Sequence, residues 1–257
     1  MFKRNLSILI AAAGMALSLC ACAGGKTSDT QTTAQNTESK SMEETSKASS
    51  DTMNKKNVVV TTSFLQDMVE QLAGDTVNVE LIIPAGEDPH LYVAKPEDYT
   101  KLSSSDLTLY HGLHFEGKMV EALEAKGEAV SRNFPKDRIG TMDEDGQIIT
   151  DPHFWFDVAL YKQATEEAAA QLIKLLPTHE KEIQENLKKY LADLDALDAE
   201  ITQKIAQIPE GQRNLVTPHD AFNYFSHRYH VNVIAPQGVS TDSEVANADI
   251  EKTANYI

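Results

Sequence analysis

The triplet Asp-Pro-His occurs twice in the 257 residues, as Asp88-Pro89-His90 and as Asp151-Pro152-His153. Proline fixes its own φ and pushes the preceding residue out of the helical region, so each triplet is a stiff turn that aims its imidazole in a set direction. An imidazole that must point at one place suits metal ligation, since histidine is the commonest protein ligand to metals. The second copy opens the run Asp151-Pro152-His153-Phe154-Trp155-Phe156-Asp157, which holds the only Trp between two Phe. A third turn, Pro218-His219-Asp220, again sets a His directly after a Pro. Taken singly, each His serves equally well as a helix cap or a solvated side chain. Repetition of one rigid triplet, once in an aromatic setting, favours the ligand reading.

Composition limits what such a site contains. Both cysteines, Cys20 and Cys22, lie near the N-terminus. Disulfides and thiolate sites are therefore excluded further on, and a metal there must be held by nitrogen and oxygen. The formal net charge is −16. Lys3 and Arg4 lie in the leader and residues 22–56 balance, which leaves about −18 from Asn57 onward, a surface that repels nucleic acid and favours cations. Acidity of this kind also keeps proteins soluble. At 41% hydrophobic, the chain has enough apolar material for one large domain or two small ones.

The first residues read as an address. Lys3 and Arg4 precede an apolar run from Leu6 to Leu19, too short to span a bilayer comfortably and patterned like an export signal. The run ends in Leu19-Cys20-Ala21-Cys22, which resembles a bacterial lipobox. Cys22 fits the modified position better than Cys20, which follows the bulky Leu19. Ordinary signal cleavage would instead release the protein, but no Ala-x-Ala site sits cleanly in the window. The expectation is a lipoprotein signal peptide over 1–21, lipidation at Cys22 and a polar tether over 22–56 that lacks the apolar surface to order itself.

The elements that must position the three turns follow from periodicity. Val58 to Thr62 reads as a buried strand, and Phe64 to Ala73 has helical spacing through Leu65, Met68, Val69 and Leu72. Val77, Val79, Leu81 and Ile83 alternate as a second strand, closed by Pro84. His90 then lies just past the C-terminal end of a strand, where ligands bind in open α/β sheets. A helix starts near Pro96, Leu107 to Tyr110 is a third strand, and Glu116 to Lys126 is helical. This β-α-β-α-β-α order predicts a parallel sheet with covering helices. A weaker strand at Gln147 to Thr150 leads into the second Asp-Pro-His, and Asp157 is a fair N-cap for a helix through Leu176. From Thr178 to about Gln207, Ile183, Leu187, Leu191, Leu194, Leu197, Ile201 and Ile205 form the longest helical stripe, suited to a coiled coil or to a spine along two lobes. A second α/β unit follows, with strands at Asn214 to Thr217 and Val231 to Ala235 and helices at Ala221 to Tyr229 and from Ala248.

In this order the chain resembles the zinc/manganese-binding lipoproteins that serve as solute receptors of metal ABC importers. The resemblance runs over essentially all of residues 57–257. It rests on Gly86-Glu87-Asp88-Pro89-His90, Tyr110-His111-Gly112-Leu113-His114-Phe115-Glu116, the run Asp151 to Asp157, the run Val216 to Phe225 and the run Gln237 to Glu244. It implies an α/β fold of two lobes with parallel sheets joined by a long rigid α-helix. The N-terminal metal-binding lobe would occupy 57–177, the linking helix 178–208 and a partial C-terminal lobe 209–257. It further implies metal in the cleft, with His90 and His153 as ligands from the first lobe and His219 from the second, as in the subgroup whose third ligand is His rather than Glu. The family's fourth ligand is acidic and comes later than residue 257, so the resemblance also implies a C-terminally truncated chain with an incomplete second lobe.

The function implied is a monomeric, extracytoplasmic receptor, lipid-anchored to the outer face of the bacterial membrane. It would capture Zn²⁺ or Mn²⁺ and deliver the ion to the permease and ATPase of an ABC importer, as transported ligand and not as the cofactor of an enzyme. Two rivals remain at this level. Three His with an open position resemble a catalytic zinc site, and hence a surface hydrolase, although no His-Glu-x-x-His or evident general base accompanies them. A surface adhesin with a purely structural metal is the other. Of the remaining histidines, His111 stands where the family often has Asn and His114 is not a ligand position. His179, His227 and His230 lie near helix ends and read as surface or structural.

Overall fold

The computed structural model describes residues 55–144 and 146–256. The signal segment, Cys22 and the tether up to residue 54 lie outside the described residues. Strand β1 (Lys56–Val60) opens the fold, two residues earlier than expected, and Val58, Val59 and Val60 are completely buried. A continuous apolar run of this kind marks a strand covered on both faces. It lies centrally in a parallel sheet, with β2 (Val77–Leu81) on one side and β3 (Leu107–Tyr110) on the other. A two-residue strand β4 (Glu128–Ala129), too short to leave a periodic signature, adds to β3, giving the order β2-β1-β3-β4.

The covering helices follow from amphipathic spacing. Helix α1 (Ser63–Ala73) buries Leu65, Met68, Val69 and Leu72 under the face of β1 that carries Val58 and Val60. Helix α2 (Pro96–Ser104) begins with Pro at its first position, where a missing N–H costs nothing. On the opposite face of the sheet Val59 packs with Ile82, Leu102, Tyr110, Met119 and Leu123.

One local expectation is corrected and another is completed. The helix read over Glu116 to Lys126 is a 3-10 turn, Gly117–Met119, followed by a short helix α3 (Val120–Glu124). Gly117 has φ +43° and Glu116 is fully buried, so the first turn is bent to bring a carboxylate inward and no regular helix forms there. The strand expected at Gln147–Thr150 forms, as β6. It pairs antiparallel with β5 (Thr141–Glu144), Thr141 opposite Thr150. A connection this short, turning at Gly146 with φ +84°, permits only a hairpin, because parallel neighbours need a crossover of a dozen or more residues.

Asp157 caps helix α4 (Val158–Leu175), accepting a 2.9 Å bond from the Ala159 N–H. After a 3-10 turn at Pro177–His179 comes α5 (Glu180–Ala206), whose 27 residues span about 40 Å. Its N-terminal half lies on the first lobe. Ile183 is buried in the α1–α4 core, and Asn186 donates to the Leu72 carbonyl at 3.0 Å. Its C-terminal half holds the second lobe through Asp198, which accepts from Tyr229 Oη at 2.8 Å and from Arg228 Nε at 3.2 Å. Of the stripe, Ile183 and Leu194 are buried and Leu197 is exposed, so the helix packs within the chain as a spine along part of its length. The second lobe contains the parallel pair β7 (Asn214–Val216) and β8 (Asn232–Ile234), helix α6 (Asn223–Tyr229) between them and α7 (Asn247–Tyr256) after them. The molecule is an α/β fold of two lobes joined by a long helix. No described helix is long and apolar enough to cross a membrane.

Candidate metal centre

The C-terminal ends of the parallel strands point toward the cleft between the lobes. His90 follows β2 through the Pro84–Pro89 loop, His153 follows the hairpin, and His219 follows β7. Each Asp-Pro-His turn is closed the same way. Asp88 Oδ1 accepts from the His90 N–H at 2.9 Å, and Asp151 Oδ1 accepts from the His153 N–H at 3.0 Å. This is the Asx geometry that lets a short carboxylate mimic a backbone turn two residues on. His219 is held differently: it bridges in parallel to Gln237, past β8, and the Asp220 N–H donates to the Gln237 carbonyl at 3.0 Å.

The three imidazoles converge. His90 Nε2 and His153 Nε2 are 3.2 Å apart, and one ligating atom from each of His90, His153 and His219 lies within 4.8 Å of the others. Nitrogens sharing a tetrahedral zinc stand about 3.3 Å apart, so the first pair already has ligand spacing and His219 needs only a small approach. His153 Nδ1 lies 2.8 Å from Asp151 Oδ1. A carboxylate there accepts the Nδ1 proton and leaves the Nε2 lone pair facing the cleft, the carboxylate–histidine pairing that orients metal ligands. Burial is the largest influence on His90, with repulsion from His153 next, and together they lower its pKa to about 4. Burial also lowers that of His219. Neutral imidazoles at physiological pH are what a cation requires.

Aromatic rings wall the cluster. Phe115 stands edge-on to His90 at 5.1 Å between ring centroids, Trp155 approaches His153 at 5.2 Å, and Phe156 stacks on Phe222 of the second lobe at 4.2 Å. The cleft in front measures about 520 Å³. Among the described residues, no other group of three or more potential ligands converges in this way.

Three supporting residues carried no sequence signal of their role. Glu116 is fully buried, and its carboxyl accepts from Thr61 Oγ1 and the His111 N–H, both at 2.7 Å. Burial pushes its pKa up to about 7. His111 is fully buried behind the aromatic wall, with Nε2 2.7 Å from Thr62 Oγ1 and Nδ1 without a hydrogen-bond partner among the described residues. It stands apart from the three converging rings. Gly117 passes so close to His90 that a Cβ there would lie 2.2 Å from the His90 carbonyl oxygen. A Glu opening an apparent helix and a Gly beside it look ordinary in sequence. His114 is exposed with φ +64°, His179 faces Glu182 at 3.2 Å, and His230 ends α6 with φ +55°. None of them reaches the cluster.

Comparison with known proteins agrees with this geometry. The family described as "Zinc-uptake complex component A periplasmic" matches residues 58–257. Manganese-binding lipoprotein MntA of Bacillus subtilis (strain 168) is 40% identical over 205 residues, covering 78% of this chain and 66% of MntA. The solved periplasmic zinc-binding protein TroA of Treponema pallidum is 37% identical with TM-score 0.76, covering 79% of this chain and 74% of that one. A further structure, from work on the metal-binding specificity of TroA, is 60% identical with TM-score 0.78, covering 79% and 73%. The chain spans 66% of the length of the curated relatives MntA and TroA. With a family match across the whole folded part and relatives at this level of identity, the chain belongs to the periplasmic zinc-uptake component A family.

Proposed function

We propose that this protein is an extracytoplasmic receptor that captures Zn²⁺ or Mn²⁺ with His90, His153 and His219 and delivers the ion to the permease and ATPase of an ABC importer. The observation that carries the reading is the convergence of three imidazoles from three separate turns, two in one lobe and one in the other, on a volume the size of one ion. Neutral nitrogen donors suit Zn²⁺ and tolerate Mn²⁺, and solution preference runs to Zn²⁺. The family and its relatives, the manganese-binding lipoprotein MntA and the zinc-binding protein TroA, support metal as the transported ligand. A hydrolase would need a free general base. The two aspartates of the Asp-Pro-His turns are instead engaged, Asp151 by His153 Nδ1 and Asn223 Nδ2 and Asp88 by the His90 N–H and Thr241 Oγ1.

In the same reading residues 1–21 are a lipoprotein signal peptide, Cys22 carries the lipid and 22–56 tether a monomer to the outer face of the membrane. The working parts are a metal-binding lobe over 57–177, a linking helix over 178–208 and a C-terminal lobe over 209–257. The experiment is equilibrium competition of Zn²⁺ and Mn²⁺ for the chain, with His90→Ala, His153→Ala and His219→Ala alongside. One ion per chain, bound more tightly as Zn²⁺ and weakened by each substitution, is expected. No bound ion, or equal binding by wild type and variants, contradicts the reading.

A further inference from the structure

The two orienting carboxylates of the first lobe are each gripped by the segments of the second lobe that surround His219. Asp88 uses Oδ1 on the His90 N–H and takes, on Oδ2, a 2.6 Å bond from Thr241 Oγ1. Asp151 uses Oδ1 on His153 and takes, on Oδ2, a 3.2 Å bond from Asn223 Nδ2. Its main-chain carbonyl accepts from Tyr224 Oη at 3.0 Å. The gripping residues are tied to the third histidine. Gln237, bridged to His219, donates through Nε2 to the carbonyls of Thr241 and Ser243, both at 2.9 Å. Asn223 and Tyr224 begin the helix four residues after His219. One second-lobe unit therefore presents His219 to the cleft and, through its side chains, clamps the carboxylates that hold the other two histidines, Asp151 on the His153 ring and Asp88 on the His90 turn.

We propose that Thr241 and Asn223 are positioning residues that couple lobe apposition to imidazole orientation, so that parting the lobes loosens all three ligands together. A carboxylate that loses a donor on one oxygen is free to rotate, and its hold on the histidine weakens. Outer partners of metal ligands commonly set one to two orders of magnitude in affinity. Release to a permease would then need only a small separation at the rim of the cleft, with no ligand pulled individually from the ion.

The inference rests on the metal-receptor reading. Its test is the rate of Zn²⁺ release to excess chelator from wild type, Thr241→Val, Asn223→Ala, the double variant and Thr241→Ser, with metal-free melting temperatures measured alongside. Each single loss should speed release about tenfold, and the double variant more than either, while the Ser variant, which keeps the hydroxyl, stays near wild type. Association rates should change little. Release within twofold of wild type in both single variants overturns the coupling. Lowered melting temperature with unchanged release from the folded protein assigns the bonds to stability alone and also overturns it. A wild type that takes up no Zn²⁺ defeats the receptor reading and this inference with it, an outcome distinct from the other two.

Discussion

The side chains proposed to hold the ion are imidazoles, and protonation of the buried ones dictates how the protein responds to acid. The folded-state pKa values of His90 and His111, about 4 and about 3, lie below the ordinary 6.5 because both rings are buried. The unfolded chain therefore binds protons first as pH falls, and stability present above about 6.5 is lost toward pH 4. Glu116 has the opposite sign. Its folded pKa is raised to about 7, so stability present below its ordinary value near 4.5 is lost as pH rises through 7. Urea unfolding of the metal-free protein should show stability falling below about pH 6.5, partly offset by Glu116 between about 4.5 and 7, with no further loss from these groups above 7. His111→Asn should flatten the acid limb. Gly117→Ala is the second residue-scale prediction. The new Cβ meets the His90 backbone at 2.2 Å, and the site has φ +43°, so the His90 turn must shift. A destabilisation of about 1–3 kcal/mol and weakened Zn²⁺ binding are expected in calorimetry, although no ligand is altered.

Among the elements, the central strand and the spine helix were the most legible. Val58 to Val60 form an unbroken apolar run because both faces of β1 are covered, and the stripe from Ile183 repeats because α5 lies along α1 and α4. The strand at Gln147–Thr150 was legible, but its antiparallel partner β5 was not, because composition alone does not say which strand pairs with it. The short β4 escaped because two residues make no period. Predictions at this scale follow from packing. Leu72, completely buried between α1 and the sheet, should cost about 3–5 kcal/mol on Leu72→Ala in denaturant unfolding. Asp198→Ala removes the acceptor shared by Arg228 and Tyr229, and with it the bonds from α5 to the second lobe. Part of that pairing is exposed and screened, so a loss of about 1–2 kcal/mol is expected, with greater protease sensitivity in residues 209–257.

Across the whole molecule, two lobes meet over one ion-sized volume, and this was only partly legible in the sequence. The three Pro-His turns stood out because the same directional pairing of proline and histidine recurs, where a single copy would have been ambiguous. The bonds that align the turns, Thr241 to Asp88 and Asn223 to Asp151, join residues 153 and 72 positions apart, and no local pattern encodes such pairs. The same holds for Glu116 and Gly117, whose roles exist only once β3 and the His90 loop are folded against each other. What the sequence carried was the candidate ligands and the turns that aim them; what only the fold supplies is the shell that holds them still.

X-ray absorption at the zinc edge of the loaded protein tests the central claim most directly. A first shell of nitrogen and oxygen only, with three imidazoles at about 2.0–2.1 Å and one fewer in the His219→Ala variant, is the predicted result. A shell with fewer than three imidazoles, or one unchanged by that substitution, would contradict the convergence of both lobes on a single ion.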